Sequence, residues 1–217
     1  MIVLNYPNNP TGKILPEKLL ADIISTAEVH DLYVLGDEIY AEYANNDWKS
    51  AEDIGSAHYE KKIITQSFSK SHAMTGYRIG YVIADPPIIE KMLKLQALSL
   101  TNVSEPIQYA ALQALKADTS DNTNMIKSRL EVLVKTARDM GLEFIEPDGA
   151  MYLFAKTKYK NFDATKFSEN MLEHGVAIAP GEGFGDYKEF FRITAIDETK
   201  LIQGMKILDT MLKESYG

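Results

Sequence analysis

Cysteine is absent from this sequence, which excludes disulfides and thiolate-ligated metal sites. Basic residues are in deficit: 23 Lys and Arg face 31 Asp and Glu, a formal net charge of −8. A nucleic-acid partner is therefore not expected. No apolar run approaches the length that spans a bilayer, and no charged-then-apolar leader precedes Ile2. The reading is a soluble, cytoplasmic protein without a membrane partner. Histidine is scarce, and His30, His58, His72 and His174 share no i, i+4 spacing, so no metal site is expected. What remains is ordinary globular material: 217 residues, 45% hydrophobic and 25% charged, without repeats or low-complexity tracts.

The first half alternates strand and helix. Ile2 to Asn5 is a short apolar strand, and "PEKLLADIISTAEV" (16–29) carries a helical apolar face opened by Pro16. "LYVLGDEIY", "KIITQSFSK" and "RIGYVIAD" read as further strands, and polar clusters follow the first three strands in the chain. This rhythm predicts an α/β sheet covered by helices. The second half differs. A long amphipathic helix is expected at about 121–140, capped by Asp121 and stopped by Gly141, followed by "AMYLFAK", a helix near 163–174, "VAIAP", "FFRITAI" and a final helix from Asp197. That order predicts a smaller α+β domain. "GEGFGD" (181–186) imitates a nucleotide-binding glycine loop, but it lacks the G-x-G-x-x-G spacing and reads as a plain loop.

In an open α/β sheet, ligands gather beyond the carboxyl ends of the strands. There the sequence places Asn8, Asn9, Pro10, Thr11 and Gly12, then Asp37, Glu38 and Tyr40, then Ser67, Ser69, Lys70 and Ser71, with Arg78 eight residues after the lysine. Singly, each has a bland explanation, because an isolated lysine is ordinarily a surface residue and an isolated aspartate a cap or turn.

In order, "NNPTG", "DEIY", "SFSK", "GYRIG" and "FRIT" resemble the class I/II aminotransferases of pyridoxal-phosphate fold type I, and the resemblance runs the length of the chain. It implies the C-terminal part of the large cofactor-binding domain over 1–125, a mostly parallel sheet with helices, and a small α+β C-terminal domain over 126–217, joined by the long helix. It implies pyridoxal 5'-phosphate as cofactor, with Lys70 as the catalytic lysine holding its aldehyde. Asp37 matches the partner of the pyridine nitrogen, Asn9 and Tyr40 the partners of the phenolic oxygen, and Ser67, Ser69 and Arg78 the phosphate ligands. Arg192 matches the arginine that grips the substrate α-carboxylate, with Asn9 beside the substrate. The implied reaction is ping-pong transamination between an amino acid and a 2-oxo acid in a homodimer. His72, Met74, Tyr6 and Tyr43 are expected to be packing residues, and Glu38 structural.

Members of this family run to nearly twice the present length. The chain is therefore expected to be a C-terminal portion that opens on a mid-fold strand, weakly active or inactive unless a missing N-terminal half is supplied. "LSLTNVSEPIQY" (98–109) contains no arginine or lysine, which favours an aromatic or neutral amino acid over a dicarboxylic one. A carbon–sulfur β-lyase on the same cofactor residues, and a non-enzymatic remnant or regulatory domain of the same fold, are the competing readings.

Overall fold

The computed structural model describes residues 1–55 and 59–216, so His58 lies outside the described residues. By its contacts the chain divides into two compact units. Unit 1 comprises Met1–Pro7 and Ile14–Thr123, and unit 2 comprises Asn8–Lys13 and Asn124–Gly217.

Unit 1 contains β1 (Ile2–Asn5), α1 (Glu17–Val29), β2 (Val34–Asp37), β3 (Lys62–Ser67), β4 (Gly80–Ala84), α2 (Pro86–Ser99) and α3 (Glu105–Ala114). Its sheet runs β1-β2-β3-β4; the first three strands are parallel and β4 is antiparallel to β3. The mostly parallel α/β sheet expected from the sequence is therefore present. Helix α1 buries Leu20, Ile24 and Ala27, spaced four and three residues apart, in a cluster with Leu4, Val34 and Ile64 of the strands. Each large aliphatic side chain so buried contributes about 1.5–3 kcal/mol, and a charge at Ile24 would break the contact. Helices α2 and α3 were not expected from the sequence. Each opens on a proline within its first turn, α2 buries none of its residues and α3 buries only Ala111. The apolar period itself is written in the sequence, at Ile89, Met92 and Leu93 and at Ile107, Ala110, Ala111 and Ala114, although little of it is buried.

Helix α4 (Ser120–Asp139) carries the chain out of unit 1 at Thr123. It starts one residue earlier than expected. Asp118 accepts the Ser120 N–H at 2.9 Å, and Asp121 lies in the first turn, where its charge suits the positive end of the helix dipole. Gly141, at φ +75°, donates its N–H to the Arg138 carbonyl and ends the helix as read.

Unit 2 adds β5 (Glu143–Phe144), β6 (Tyr152–Lys156), α5 (Ala164–Glu173), β7 (Ala179–Pro180), β8 (Phe190–Thr194) and α6 (Glu198–Tyr216). Its antiparallel sheet has the order β5-β6-β8-β7. One core joins the helices to the sheet through Leu133, Leu153, Met171, Phe191 and Leu208. Asp163 caps α5 by accepting the Thr165 and Lys166 N–H groups, and Asp197 accepts the Lys200 N–H at the start of α6. The "GEGFGD" stretch forms a short 3-10 turn over Gly181–Phe184. No helix among the described residues is long and apolar enough to cross a membrane.

Candidate active site

The parallel strands of unit 1 bring three side chains into one rung. Asn5 pairs with Asp37 in the β1–β2 register, and Asp37 pairs with Thr65 in the β2–β3 register. Residues opposite one another share a face, so the Asn5 Nδ2 donates to Asp37 Oδ2 at 2.9 Å and the Thr65 Oγ1 to Asp37 Oδ1 at 3.4 Å. The same alternation turns Glu38 to the opposite face. There it is buried and accepts from Ser50 Oγ, the Ala51 N–H and Gln66 Nε2. Burial raises the Glu38 pKa, and the Ala51 and Ser50 hydrogen bonds oppose that rise. Two adjacent carboxylates are thus separated, Asp37 hydrogen-bonded to Asn5 and Thr65 on one face and Glu38 embedded on the other. Tyr40, three residues past Asp37, is buried.

Beyond β3, the segment from Ser67 to Arg78 is wound by its own hydrogen bonds. The Ser69 N–H donates to Ser67 Oγ at 3.1 Å, and Ser67 Oγ donates to the Ile79 carbonyl at 3.4 Å. Thr75 Oγ1 donates to the Ser69 carbonyl at 2.8 Å, and the Met74 N–H to the Phe68 carbonyl at 3.1 Å. Arg78 has left-handed backbone (φ 54°) and donates from Nη1 to the Thr75 carbonyl. Gly80 closes the loop opposite Ser67, where an added Cβ would stand 2.5 Å from the Gln66 carbonyl oxygen. Ser67, Ser69, Lys70 and Arg78 therefore issue from one closed loop. His72 pairs its Nδ1 with Ser71 Oγ at 2.9 Å and meets the Phe68 ring edge-on.

Unit 2 holds the other two candidates. Its turn Asn8–Lys13 contains a cis Asn9–Pro10 bond, follows a cis Tyr6–Pro7 bond, and is tied internally by Thr11 Oγ1 donating to Asn8 Oδ1 at 2.7 Å. The Gly12 carbonyl accepts the Asp148 and Gly149 N–H groups at 2.8 and 2.9 Å, and Lys13 pairs with Asp148. Gly12 has φ +70°, and a Cβ there would lie 2.5 Å from Pro147 Cβ, so glycine is required. Within the same unit, Arg192 of β8 donates from Nη1 to Asn9 Oδ1 at 2.8 Å. Its guanidinium carbon lies 4.4 Å from the Tyr152 ring centre and 5.0 Å from that of Phe184. Its Nε is buried with no hydrogen-bond partner. A buried charged donor left unsatisfied is costly, and the planar fork of guanidinium N–H groups is complementary in shape and charge to a carboxylate.

Residues 1–208 match the family described as aminotransferase class I and II. The chain belongs to this family. As an aminotransferase sequence it is 37% identical over 222 residues to an aspartate aminotransferase of Pyrococcus horikoshii, covering 98% of this chain and 56% of that protein. It is 35% identical over 223 residues to aromatic-amino-acid aminotransferase 2 of Thermococcus litoralis, covering 98% of this chain and 57% of that protein. In structure it superposes on the aspartate aminotransferase of Thermotoga maritima with a TM-score of 0.91 and 32% identity, covering 97% of this chain and 56% of that one. The chain spans little more than half the length of these relatives.

The aminotransferase candidates fall into two groups. Asp37, Tyr40, Ser67, Ser69, Lys70 and Arg78 belong to unit 1, and Asn9 and Arg192 to unit 2. Sequence reading missed the side chains that hold them. Asn5 and Thr65 were hidden because strand register is not written in the chain. Tyr152 and Phe184 were hidden because their meeting with Arg192 depends on the β6–β8 pairing and the 3-10 turn. Class I/II aminotransferases use pyridoxal phosphate, and the donor set fits that group. A primary amine suits an aldehyde, a carboxylate already fixed by two donors suits a pyridinium, and two hydroxyls with a guanidinium on one loop suit a phosphate.

Proposed function

We propose that this chain carries the residues for pyridoxal 5'-phosphate-dependent transamination of an α-amino acid with a 2-oxo acid. The observation that best supports a carboxylate-bearing substrate is Arg192, with Nη1 committed to Asn9, the ring faces of Tyr152 and Phe184 beside it, and a buried Nε without a partner. A bidentate grip on the α-carboxylate uses that fork. Lys70 would hold the aldehyde of the bound cofactor through its amine, Asp37 would pair with the ring nitrogen, and Ser67, Ser69 and Arg78 would take the phosphate. Tyr40 and Asn9 would serve the phenolic oxygen, Asn9 through its Nδ2 while its Oδ1 accepts from Arg192. The cofactor, when bound, supplies the electron sink that makes the substrate α-proton removable. The Lys70 amine is the group of this chain that would accept that proton from the substrate Cα as a general base.

The side chain accepted is proposed to be aromatic or neutral, because residues 98–109 hold no arginine or lysine. Aspartate is the competing reading, since several relatives carry the name aspartate aminotransferase. The working assembly is proposed to be a homodimer. With a length 56% of the first relative's, the chain alone is proposed to turn over slowly.

The test is to titrate the chain with pyridoxal phosphate, reduce with borohydride and map the labelled peptide. A saturable absorbance band trapped on Lys70, and lost in Lys70→Ala, supports the reading. Label scattered over many lysines overturns it. Phenylalanine, alanine and aspartate, each with 2-oxoglutarate as acceptor, then decide the substrate class.

A further inference from the structure

The Lys70 main chain is held by two side chains that no motif marks. The Tyr43 hydroxyl donates to the Lys70 carbonyl at 2.8 Å. Asn122 Nδ2 lies 3.3 Å from the same carbonyl and from Tyr43 Oη, and donates to the neighbouring Ser71 carbonyl. The Ala73 N–H is a third donor to Lys70 O, at 3.1 Å, from a residue in left-handed backbone (φ 53°). Tyr43 is buried in the 3-10 turn that follows Tyr40, and Asn122 stands in the first turn of α4, one residue before unit 1 ends. All of these groups belong to unit 1. Elements distant in sequence, 27 residues before Lys70 and 52 after it, therefore converge on one peptide group.

We propose that Tyr43 and Asn122 are positioning residues that clamp the Lys70 carbonyl and so fix the point from which the lysine side chain leaves the backbone. The inference rests on Lys70 being the cofactor lysine. The physical argument is geometric. A lysine side chain has four rotatable bonds, and its amine has to return to one place on each turnover. Wander in the backbone that carries it adds directly to wander of the amine, and a small misplacement of a reacting group is expensive in rate. A carbonyl with three donors is held against tilting in a way that one turn hydrogen bond is not. Asn122 is suited to this because its amide group offers two N–H donors and here faces two carbonyls and a phenol oxygen. Aspartate, of the same shape, presents only acceptors and repels both carbonyls.

The experiment compares Tyr43→Phe, Asn122→Asp and the double variant with the unaltered chain by two readouts. The first is the pyridoxal phosphate concentration at which half of Lys70 is trapped by reduction. The second is amide exchange at Ala73 and Met74, compared with exchange at Ile64 in β3, and it needs no cofactor. Loss of one such hydrogen bond is expected to raise the half-trapping concentration about fivefold in each single variant. Because the two side chains touch and share one acceptor, the double should exceed either single but fall short of the product of about 25-fold. Exchange at Ala73 and Met74 accelerates by a similar factor, while Ile64 is unchanged. A residue that merely supports the fold would accelerate Ile64 together with Ala73, and that result overturns the clamp. So does a double variant with unaltered exchange at Ala73. If the unaltered chain gives no saturable trapping on Lys70, the cofactor reading falls, and the exchange data alone still decide whether the clamp exists.

Discussion

Replacing Glu38 by alanine removes the acceptor on which Ser50 Oγ and the Ala51 N–H converge at 2.9 Å and towards which Gln66 Nε2 reaches at 3.4 Å. Depriving the buried Ala51 N–H of this acceptor costs about 1–3 kcal/mol, and each remaining hydrogen bond about 1 kcal/mol. Relief of a buried charge returns part of that, so a net loss of about 2–4 kcal/mol is expected, a large share of a domain stability of about 5–15 kcal/mol. The assay is urea unfolding followed by fluorescence of Trp48, the sole tryptophan, which lines the same small cavity as Glu38. Glu38→Gln is informative in a second way. Burial raises the folded-state pKa of Glu38 above 4.5, so the unfolded chain gives up this proton first as pH increases. The stability linked to the protonated form is complete below pH 4.5 and is lost as pH climbs from 4.5 through the folded-state value. The glutamine variant has no such dependence, so its stability relative to the unaltered chain should improve with rising pH across that window. Asp37→Asn provides the contrast, with near-normal unfolding but failure to take up pyridoxal phosphate. A Glu38→Ala loss below about 0.5 kcal/mol, or a glutamine variant whose relative stability does not improve above pH 4.5, would refute the assignment of a buried, charge-strained carboxylate behind the sheet.

Arg192→Lys keeps the charge but forfeits the fork and the Nη1 bond to Asn9. The KM for an amino-acid donor should rise by about 10²-fold, and melting temperature should change little. Gly12→Ala forces a methyl group to within 2.5 Å of Pro147 Cβ at a positive φ; a loss of about 2–4 kcal/mol in urea unfolding is expected, with tighter packing as the refuting outcome. Phe191→Ala empties a fully buried position in the unit 2 core, and calorimetry should show a loss of about 3–5 kcal/mol.

The candidate residues were nominated because they follow strands in a fixed order, and order survives in a sequence. Lys70, Arg78 and Arg192 are candidates on their motifs alone. What could not be read was lateral. The rung Asn5–Asp37–Thr65 depends on a register of three parallel strands, and parallel register is set by packing between segments far apart in the chain. The antiparallel direction of β4 against β3 is equally hidden, because an apolar period carries no direction. Tyr43 resembles any buried aromatic until its hydroxyl is seen on the Lys70 carbonyl. Asn122 is a poor helix former in the first turn of a helix, and its value lies wholly in what it meets there. Helices α2 and α3 carry apolar residues at helical spacing that the fold of this chain leaves largely exposed, and the sequence reading passed over them.

The turn Asn8–Lys13 belongs to unit 2 although it is strung between β1 and α1 of unit 1. In genetic terms, no single crossover can exchange the smaller unit between relatives. A recombinant that inherits only the stretch after Thr123 sets the Asp148 and Gly149 amides and Arg192 against a turn taken from the other parent. The six residues of the turn and the C-terminal stretch are one heritable block separated by more than a hundred codons, and compensating changes between them should accumulate together.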